Sequence, residues 1–182
     1  MTTLRKRIAE RLLESQKSTA TLTTFNEVDM SALINLRNAN KEKFLHKYGI
    51  KLGFMGAFTK AVVEALQALP VVNASIDGND LIYHDDIHIG VAVGTEKGLV
   101  VPVIKNAQSL TLAEIEKSIG EYATKAKERK ITIEDLTGGT FTISNGGVYG
   151  SLMSTPILNP PQSGILGMHK TQDRPVVVDG QI

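Results

Sequence analysis

Residues 138–169, GGTFTISNGGVYGSLMSTPILNPPQSGILGMH, constrain this chain more than any other stretch, because they hold two short apolar runs between two different kinds of chain punctuation. The first run, Thr140 to Ser144, is strand-like and stops at Ser144-Asn145-Gly146-Gly147, where the Asn-Gly and Gly-Gly steps allow backbone conformations with positive φ. Side chains at the end of such a strand are held rigidly yet face open space. Asn159-Pro160-Pro161 then dictates an extended connection poor in donors, and the second run, Gly164 to Met168, ends at His169. A hydroxyl and a glycine turn are thus delivered to one spot. Further on, Val176 to Val178 reads as a strand and Asp179-Gly180 as a hairpin turn, with only Gln181-Ile182 after it to begin the return strand that such a turn requires.

Upstream, Leu4, Ile8, Leu12 and Leu13 recur at helical spacing among Arg5, Lys6, Arg7, Glu10, Arg11 and Glu14, which predicts an amphipathic helix with a basic face. Thr21 to Val28 alternates and is rich in threonine, a predicted strand; Ser31 is placed to cap a helix running through Leu36, Phe44 and Leu45 to Gly49. A third helix, Phe54 to Leu69, carries Phe58, Ala61, Val62, Ala65, Leu66 and Leu69 and is stopped by Pro70, so its wide stripe predicts deep burial. A strand-dense region follows: Ala74 to Ile76, the turn Asp77-Gly78-Asn79-Asp80, Leu81 to Tyr83, Ile87 to Thr95 and Leu99 to Ile104, with Glu96-Lys97-Gly98 turning the last two into a hairpin. Thr111 and Glu114 form a capping box for a helix to about Glu128, and Thr132 to Leu136 reads as one more helical turn. With no repeat or low-complexity linker, the pattern is a single α+β domain with a mixed sheet.

A chain of 182 residues, 42% hydrophobic, can bury a real core. Twenty basic and nineteen acidic residues leave a net charge of +1, too little for a global field that would recruit nucleic acid or an anionic membrane, so any anion site is local. The sequence holds no cysteine, which removes disulfides, a thiol nucleophile and thiolate metal sites. No apolar run approaches the roughly 20 residues of a membrane span, and the first residues lack a secretory core.

Ser144 is the sharpest candidate for chemistry. A nucleophilic serine wants an adjacent base and a G-x-S-x-G context, which is absent, so the hydroxyl reads as an oxyanion donor or, in the plain alternative, as a turn-capping serine. Among the four histidines, His46 and His84 read as surface residues and His88 as part of an apolar strand, while His169 stands closest in sequence to the Ser144 loop. No His-x-His pair is present, and the one His-x-x-x-His pair, His84 and His88, falls in the strand region rather than on a helix, so neither spacing suggests a metal site. Lys6, Arg7 and Arg11 can hold a phosphate or simply form a solvated helix face. Gly94 to Gly98 lacks the spacing of a phosphate loop and reads as a hairpin turn.

Taken together, LRKRIAERLLESQKSTATLTTFNEVDM, KLGFMGAFTKAVVEAL, PVVNASIDG, GLVVPVIKN and DLTGGTFTISNGGVYGSLMSTPILNPPQSGILGMH resemble the catalytic domain of the 2-oxoacid dehydrogenase acyltransferases, from about Leu4 to Ile182. Within that family the resemblance is to the succinyl-transferring branch, which serves the 2-oxoglutarate dehydrogenase complex of the tricarboxylic acid cycle. It implies a chloramphenicol-acetyltransferase-like fold, a mixed sheet flanked by helices, in which residues 1–182 are the catalytic domain without its final strand and helix. The lipoyl and subunit-binding domains of the family then lie outside it. The implied reaction passes a succinyl group between dihydrolipoamide on a separate lipoyl domain and coenzyme A, with no metal. The implied partners are copies of the chain, as trimers in a 24-subunit cube, and the 2-oxoglutarate dehydrogenase and dihydrolipoamide dehydrogenase components, in the cytoplasm or, in a eukaryote, the mitochondrial matrix.

Residue by residue, the resemblance makes Ser144 the oxyanion donor and Ser151, Ser154 and His169 the readers of the distal carboxylate. Walls of the coenzyme A pocket are expected from the N-terminal segment and from Gly98 to Val103. The family's catalytic histidine stands in an Asp-His-Arg segment that this sequence does not contain, so the general-base histidine is not in this chain and the 182 residues by themselves are expected to be inactive. A non-catalytic coenzyme A-binding or scaffold module, and an acyltransferase for a different acyl group, are the alternative readings.

Overall fold

The computed structural model describes residue 1, residues 3–95 and residues 98–181. The elements run α1 (Thr3–Ser18), α2 (Ser31–Tyr48), α3 (Met55–Ala68), β1 (Ala74–Asp77), β2 (Asp80–Tyr83), β3 (Ile89–Val91), β4 (Val93–Thr95), β5 (Gly98–Val100), β6 (Val103–Ile104), α4 (Leu112–Lys127), β7 (Phe141–Asn145) and β8 (Ile165–Met168). The α+β class with a mixed sheet is the one the sequence predicts.

Four strands form the central sheet in the order β6-β3-β7-β8, with β3 antiparallel to β6 and parallel to β7, and β8 parallel to β7. Its pleat gives two unlike faces. Ile89, Val91, Phe141 and Ile143 bury against Val62, Val63 and Leu66 of α3 and Ile115 of α4. Each such side chain contributes about 1.5–3 kcal/mol on leaving water. Gly90, Thr142 and Ser144 alternate with them on the opposite face, where a Cβ on Gly90 would stand 3.1 Å from Thr142 Oγ1.

Local signals hold at several ends. Gly49 closes α2 at φ 69° and Thr111 and Glu114 make the reciprocal capping box that opens α4. The buried set on α3, Thr59, Val62, Val63 and Leu66, is a clean helical stripe, but narrower than the sequence predicts. Ala61, Ala65 and Leu69 lie off that stripe and are exposed.

Other expectations are corrected. Thr21 to Val28 is not a strand: no described strand runs beside it, Leu22, Phe25 and Val28 are exposed, and strand propensity without a ladder partner makes no strand. Ser31 is the first residue of α2 rather than its cap, and its N–H donates to the Asp29 carboxylate at 2.8 Å. Ile8, Leu12 and Leu13 of α1 remain exposed; the helix instead buries Ser15, whose hydroxyl donates to the Leu158 carbonyl at 2.8 Å, and the Leu4 side chain lies outside the described residues.

Ile87 to Thr95 and Leu99 to Ile104 are each divided in two. Val91 N–H donates to the Pro102 carbonyl at 2.9 Å, but Pro102 has no N–H to return the bond. The ladder breaks there, Ala92 N–H turns to the Ile143 carbonyl at 2.9 Å, and β4-β5 leaves the sheet as a separate hairpin. Its predicted turn residues Glu96 and Lys97 lie outside the described residues. Val176 to Val178 forms no strand; Asp179 (φ 52°) and Gly180 (φ 79°) make the predicted turn, closed by a single Val178–Gln181 bridge, and Ile182 lies outside the described residues.

Candidate active site

Ser144 stands in the last pair of β7 positions, opposite Gly167 of β8, on the sheet face turned away from α3 and α4. Its hydroxyl makes no hydrogen bond among the described residues, so it is not the turn-capping serine. That task falls to Asn145, whose Oδ1 accepts the Gly147 N–H at 2.9 Å. The turn is tied down further by Gly146 N–H to the Met168 carbonyl at 2.9 Å and by the Tyr149 and Ser151 N–H groups, both donated to the Gly146 carbonyl at 3.1 and 3.2 Å.

The glycines here serve a different purpose from the one the sequence suggests. Gly146 has φ −79° and Gly147 is not among the positive-φ residues; only Gly150, at φ 75°, uses left-handed freedom. What Gly146 and Gly147 supply is clearance. A Cβ on Gly147 would stand 2.5 Å from the His169 carbonyl oxygen, and one on Gly146 would stand 3.2 Å from Ser151 Cβ and 3.6 Å from His169 Nδ1. Gly167 gives the same relief, since its Cβ would stand 3.5 Å from His169 Nε2 and 2.7 Å from Pro156 Cγ.

The imidazole of His169 therefore leans between the end of β7 and β8, beside Ser151 and on the level of Ser144. Its Nδ1 is buried without a hydrogen-bond partner among the described residues. Lys170 N–H donates to the Ser151 carbonyl at 3.0 Å, locking the two segments together. Of the four residues named from the sequence, Ser144, Ser151 and His169 converge. Ser154 does not join them: it is exposed on the loop leading to Pro156, without a hydrogen bond among the described residues.

The remaining histidines lie elsewhere. His46 is exposed, as expected. His84 is not a free surface residue: its Nε2 lies 3.2 Å from Ser75 Oγ and its carbonyl accepts from Asn73 Nδ2 at 2.9 Å. His88 accepts the Asn106 N–H through Nδ1 at 3.0 Å, and burial, assisted by the nearby Lys105, lowers its pKa below the ordinary value of 6.5, so it sits as a neutral structural ring.

A cavity of about 540 Å³ opens at the other end of β7, lined by Arg11 of α1 and by Val101, Val103, Thr140 and Gln162. Gln162 is buried, and its Oε1 accepts the Thr142 hydroxyl at 2.5 Å. Among the described residues no group of His, Asp and Glu is gathered to hold a metal, and no helix is long and apolar enough to cross a membrane.

Sequence reasoning overlooked Asn145, reading it only as half of an Asn-Gly turn; a polar residue directly after the candidate serine was the available signal.

A mixed sheet flanked by helices, with Ser144 near the end of β7 and His169 and Ser151 beside the following turn, is the chloramphenicol-acetyltransferase-like fold. The chain belongs to the family of 2-oxoacid dehydrogenase acyltransferase catalytic domains, whose model matches residues 1–182. It is 60% identical to the dihydrolipoyllysine-residue succinyltransferase component of the 2-oxoglutarate dehydrogenase complex of Cupriavidus necator, over the whole of this chain and 44% of that protein. The chain thus spans less than half the length of this relative.

Among solved structures it superposes at a TM-score of 0.94 and 36% identity on the dihydrolipoamide acetyltransferase of Azotobacter vinelandii, covering 99% of this chain and 74% of that one. The crystallographic and enzymatic study of that protein concerned the role of a serine, a histidine and an asparagine in its catalytic mechanism. The cubic core of a pyruvate dehydrogenase multienzyme complex matches with the same TM-score of 0.94, identity of 36% and coverage of 99% and 74%.

Proposed function

We propose that this domain passes a succinyl group between dihydrolipoamide, carried on a lipoyl domain, and coenzyme A, within a 2-oxoglutarate dehydrogenase complex. The observation that supports it most is the gathering of Ser144, Ser151 and His169 around one turn on the sheet face turned away from α3 and α4, joined to the 60% identity with a succinyltransferase component.

In the proposed step the coenzyme A thiolate attacks the carbonyl carbon of the succinyl thioester. The carbonyl oxygen becomes an oxyanion, which the Ser144 hydroxyl meets as a donor; collapse then expels the dihydrolipoamide thiolate, which takes up a proton. The base for the attacking thiol is assigned by the resemblance alone to an Asp-His-Arg segment, and none of His46, His84, His88 and His169 stands in one. His169 with Ser151 instead reads the distal carboxylate of the acyl group, and Ser154 contributes least, from the exposed loop.

Coenzyme A enters along the same sheet face from the cavity lined by Arg11, Val101 and Val103, whose wall also carries Asp85 and Asp86; Arg11 supplies a cation for a phosphate there. Thr140 at the cavity and Ser144 are about 13 Å apart along the strand, a distance for an extended thiol arm to bridge. The partners are further copies of the chain, as trimers in a 24-subunit core, and the 2-oxoglutarate dehydrogenase and dihydrolipoamide dehydrogenase components. The likeness to a cubic core supports the first of these. The place of action is the cytoplasm, or the mitochondrial matrix in a eukaryote.

The test compares succinyl- and acetyl-coenzyme A as donors to dihydrolipoamide, using the full-length polypeptide that carries this domain. Succinyl turnover exceeding acetyl turnover by about tenfold or more in kcat/KM is expected, and equal rates would sink the assignment.

A further inference from the structure

Ser144 and Asn145 are consecutive, so the pleat of β7 sends them to opposite faces. The serine faces the proposed reaction, and the asparagine faces the helices. Both polar atoms of the Asn145 amide are engaged. Its Oδ1 accepts the Gly147 N–H at 2.9 Å, fixing the turn, and its Nδ2 donates to Met55 Sδ at 4.0 Å, reaching the first residue of α3. That end of α3 is itself anchored, because Glu116 Oε1 of α4 accepts the Gly56 N–H at 2.9 Å. One side chain thus bridges the turn after Ser144 to a helix terminus held from a third element.

We propose that Asn145 is a positioning residue of the acyl-transfer site, fixing the backbone from which Ser144 presents its hydroxyl. The proposal rests on the reading of Ser144 as oxyanion donor. Such a donor acts over a narrow range, about 2.7–3.1 Å from the developing oxyanion. A misplacement of about 1 Å costs up to about 10²-fold in rate. The Asn145 amide ties the turn after Ser144 from the helix side of the strand.

Two variants test it in the full-length polypeptide that carries this domain: Asn145→Ala, and the near-isosteric Asn145→Asp, which keeps the acceptor for Gly147 but loses the donor to Met55. Asn145→Ala should lower kcat by about tenfold or more with KM for succinyl-coenzyme A within about twofold, and Asn145→Asp should lie between it and the parent. Combined with Ser144→Ala, the same substitution should cost less than about twofold, because the donor it positions is gone. An equal loss in both backgrounds, or no loss in either, overturns the proposal.

Amide hydrogen exchange separates this outcome from a failure of the donor reading. If Ser144→Ala leaves kcat unchanged, that reading falls, and exchange at Gly146 and Gly147 still decides on Asn145. Exchange about tenfold faster in Asn145→Ala supports the bridge, whereas unchanged protection overturns it.

Discussion

Glu116 of α4 and Gly56 of α3 are joined by a buried hydrogen bond of 2.9 Å from the glycine N–H to the carboxylate, across 60 positions of sequence. A side chain from one helix thus caps the first turn of another, where the backbone N–H groups have no intrahelical partner. Gly53 and Gly56 make room for it, since a Cβ on either would stand 2.9 or 2.7 Å from a Glu116 oxygen. Replacing Glu116 with Ala leaves buried donors unmatched at a cost of about 1–3 kcal/mol. For a chain of this size that lowers Tm by about 2–10 °C, read by scanning calorimetry. Glu116→Gln, whose amide oxygen still accepts, should lose clearly less.

The same carboxylate predicts an unusual pH profile. Burial pushes the Glu116 pKa above its ordinary 4.5, against the pull of the Gly56 and Gly53 N–H groups and of Arg37. The folded state therefore holds this proton more tightly than the unfolded chain. The stabilisation is complete below the ordinary value and is lost as pH rises through the raised one. Asp135 and Glu114 behave oppositely: hydrogen bonds from the Thr132 and Thr111 N–H groups hold them below 3.8 and 4.5, so their contribution is present above those values and lost as pH falls through the lowered ones. Melting curves across about pH 3 to 8 should find the slope above the ordinary glutamate value flattened in Glu116→Gln and the acid limb flattened in Asp135→Asn. A Glu116→Gln profile parallel to the parent would contradict this account.

Ser144→Ala tests the donor directly. The hydroxyl has no hydrogen bond among the described residues, so its removal should leave Tm nearly unchanged, within about 0.5 kcal/mol of stability. Loss of an oxyanion donor costs about 10²–10³ in kcat. Steady-state kinetics with succinyl-coenzyme A, beside a thermal melt, separates the two quantities. A large fall in Tm with a proportionate fall in active protein would return Ser144 to a structural role.

What could be read from the sequence was whatever depends on neighbouring residues. Thr111 with Glu114, Gly49 after α2 and Pro70 after α3 are local devices, and each acts as its spacing predicts. The convergence of Ser144 with His169 also follows from order along the chain, because β7 and β8 are consecutive parallel strands. What escaped depends on distant partners. Nothing local says that Pro102 would break a ladder with Val91, that Thr21 to Val28 would find no strand beside it, or that Glu116 would cap a helix 60 positions away. At the site, glycine's conformational freedom suggested a left-handed turn at Gly146. Only the packed structure reveals that the constraint there is the bulk of Ser151 and His169.

Acyl selectivity should reside in the residues folded over that turn. Ser151 and His169 lie against Gly146, while Ser154 is on the exposed loop, so the three should not contribute equally. His169→Ala and Ser151→Ala are expected to lower kcat/KM for succinyl-coenzyme A by about 10²-fold, the scale of an unpaired buried carboxylate contact, and to leave acetyl-coenzyme A within a few-fold. Ser154→Ala should have the smallest effect. Equal losses with both donors would mean that these residues hold the turn and not the substrate.

The buried Thr142–Gln162 pair allows a sharper distinction between a polar contact and its replacement. Thr142 Oγ1 donates to Gln162 Oε1 at 2.5 Å, and both residues are buried on the sheet face that carries Ser144. Gln162→Ala strands the threonine hydroxyl and removes packing over β7, so stability should fall by about 1–3 kcal/mol. Replacing both partners by apolar groups of similar shape, Thr142→Val with Gln162→Leu, removes the unmatched atoms together and should recover most of that loss. Denaturant unfolding of the parent, the single variants and the double variant measures the coupling between the two positions. A double variant no more stable than Gln162→Ala would mean that the amide is held by the cavity wall rather than by Thr142.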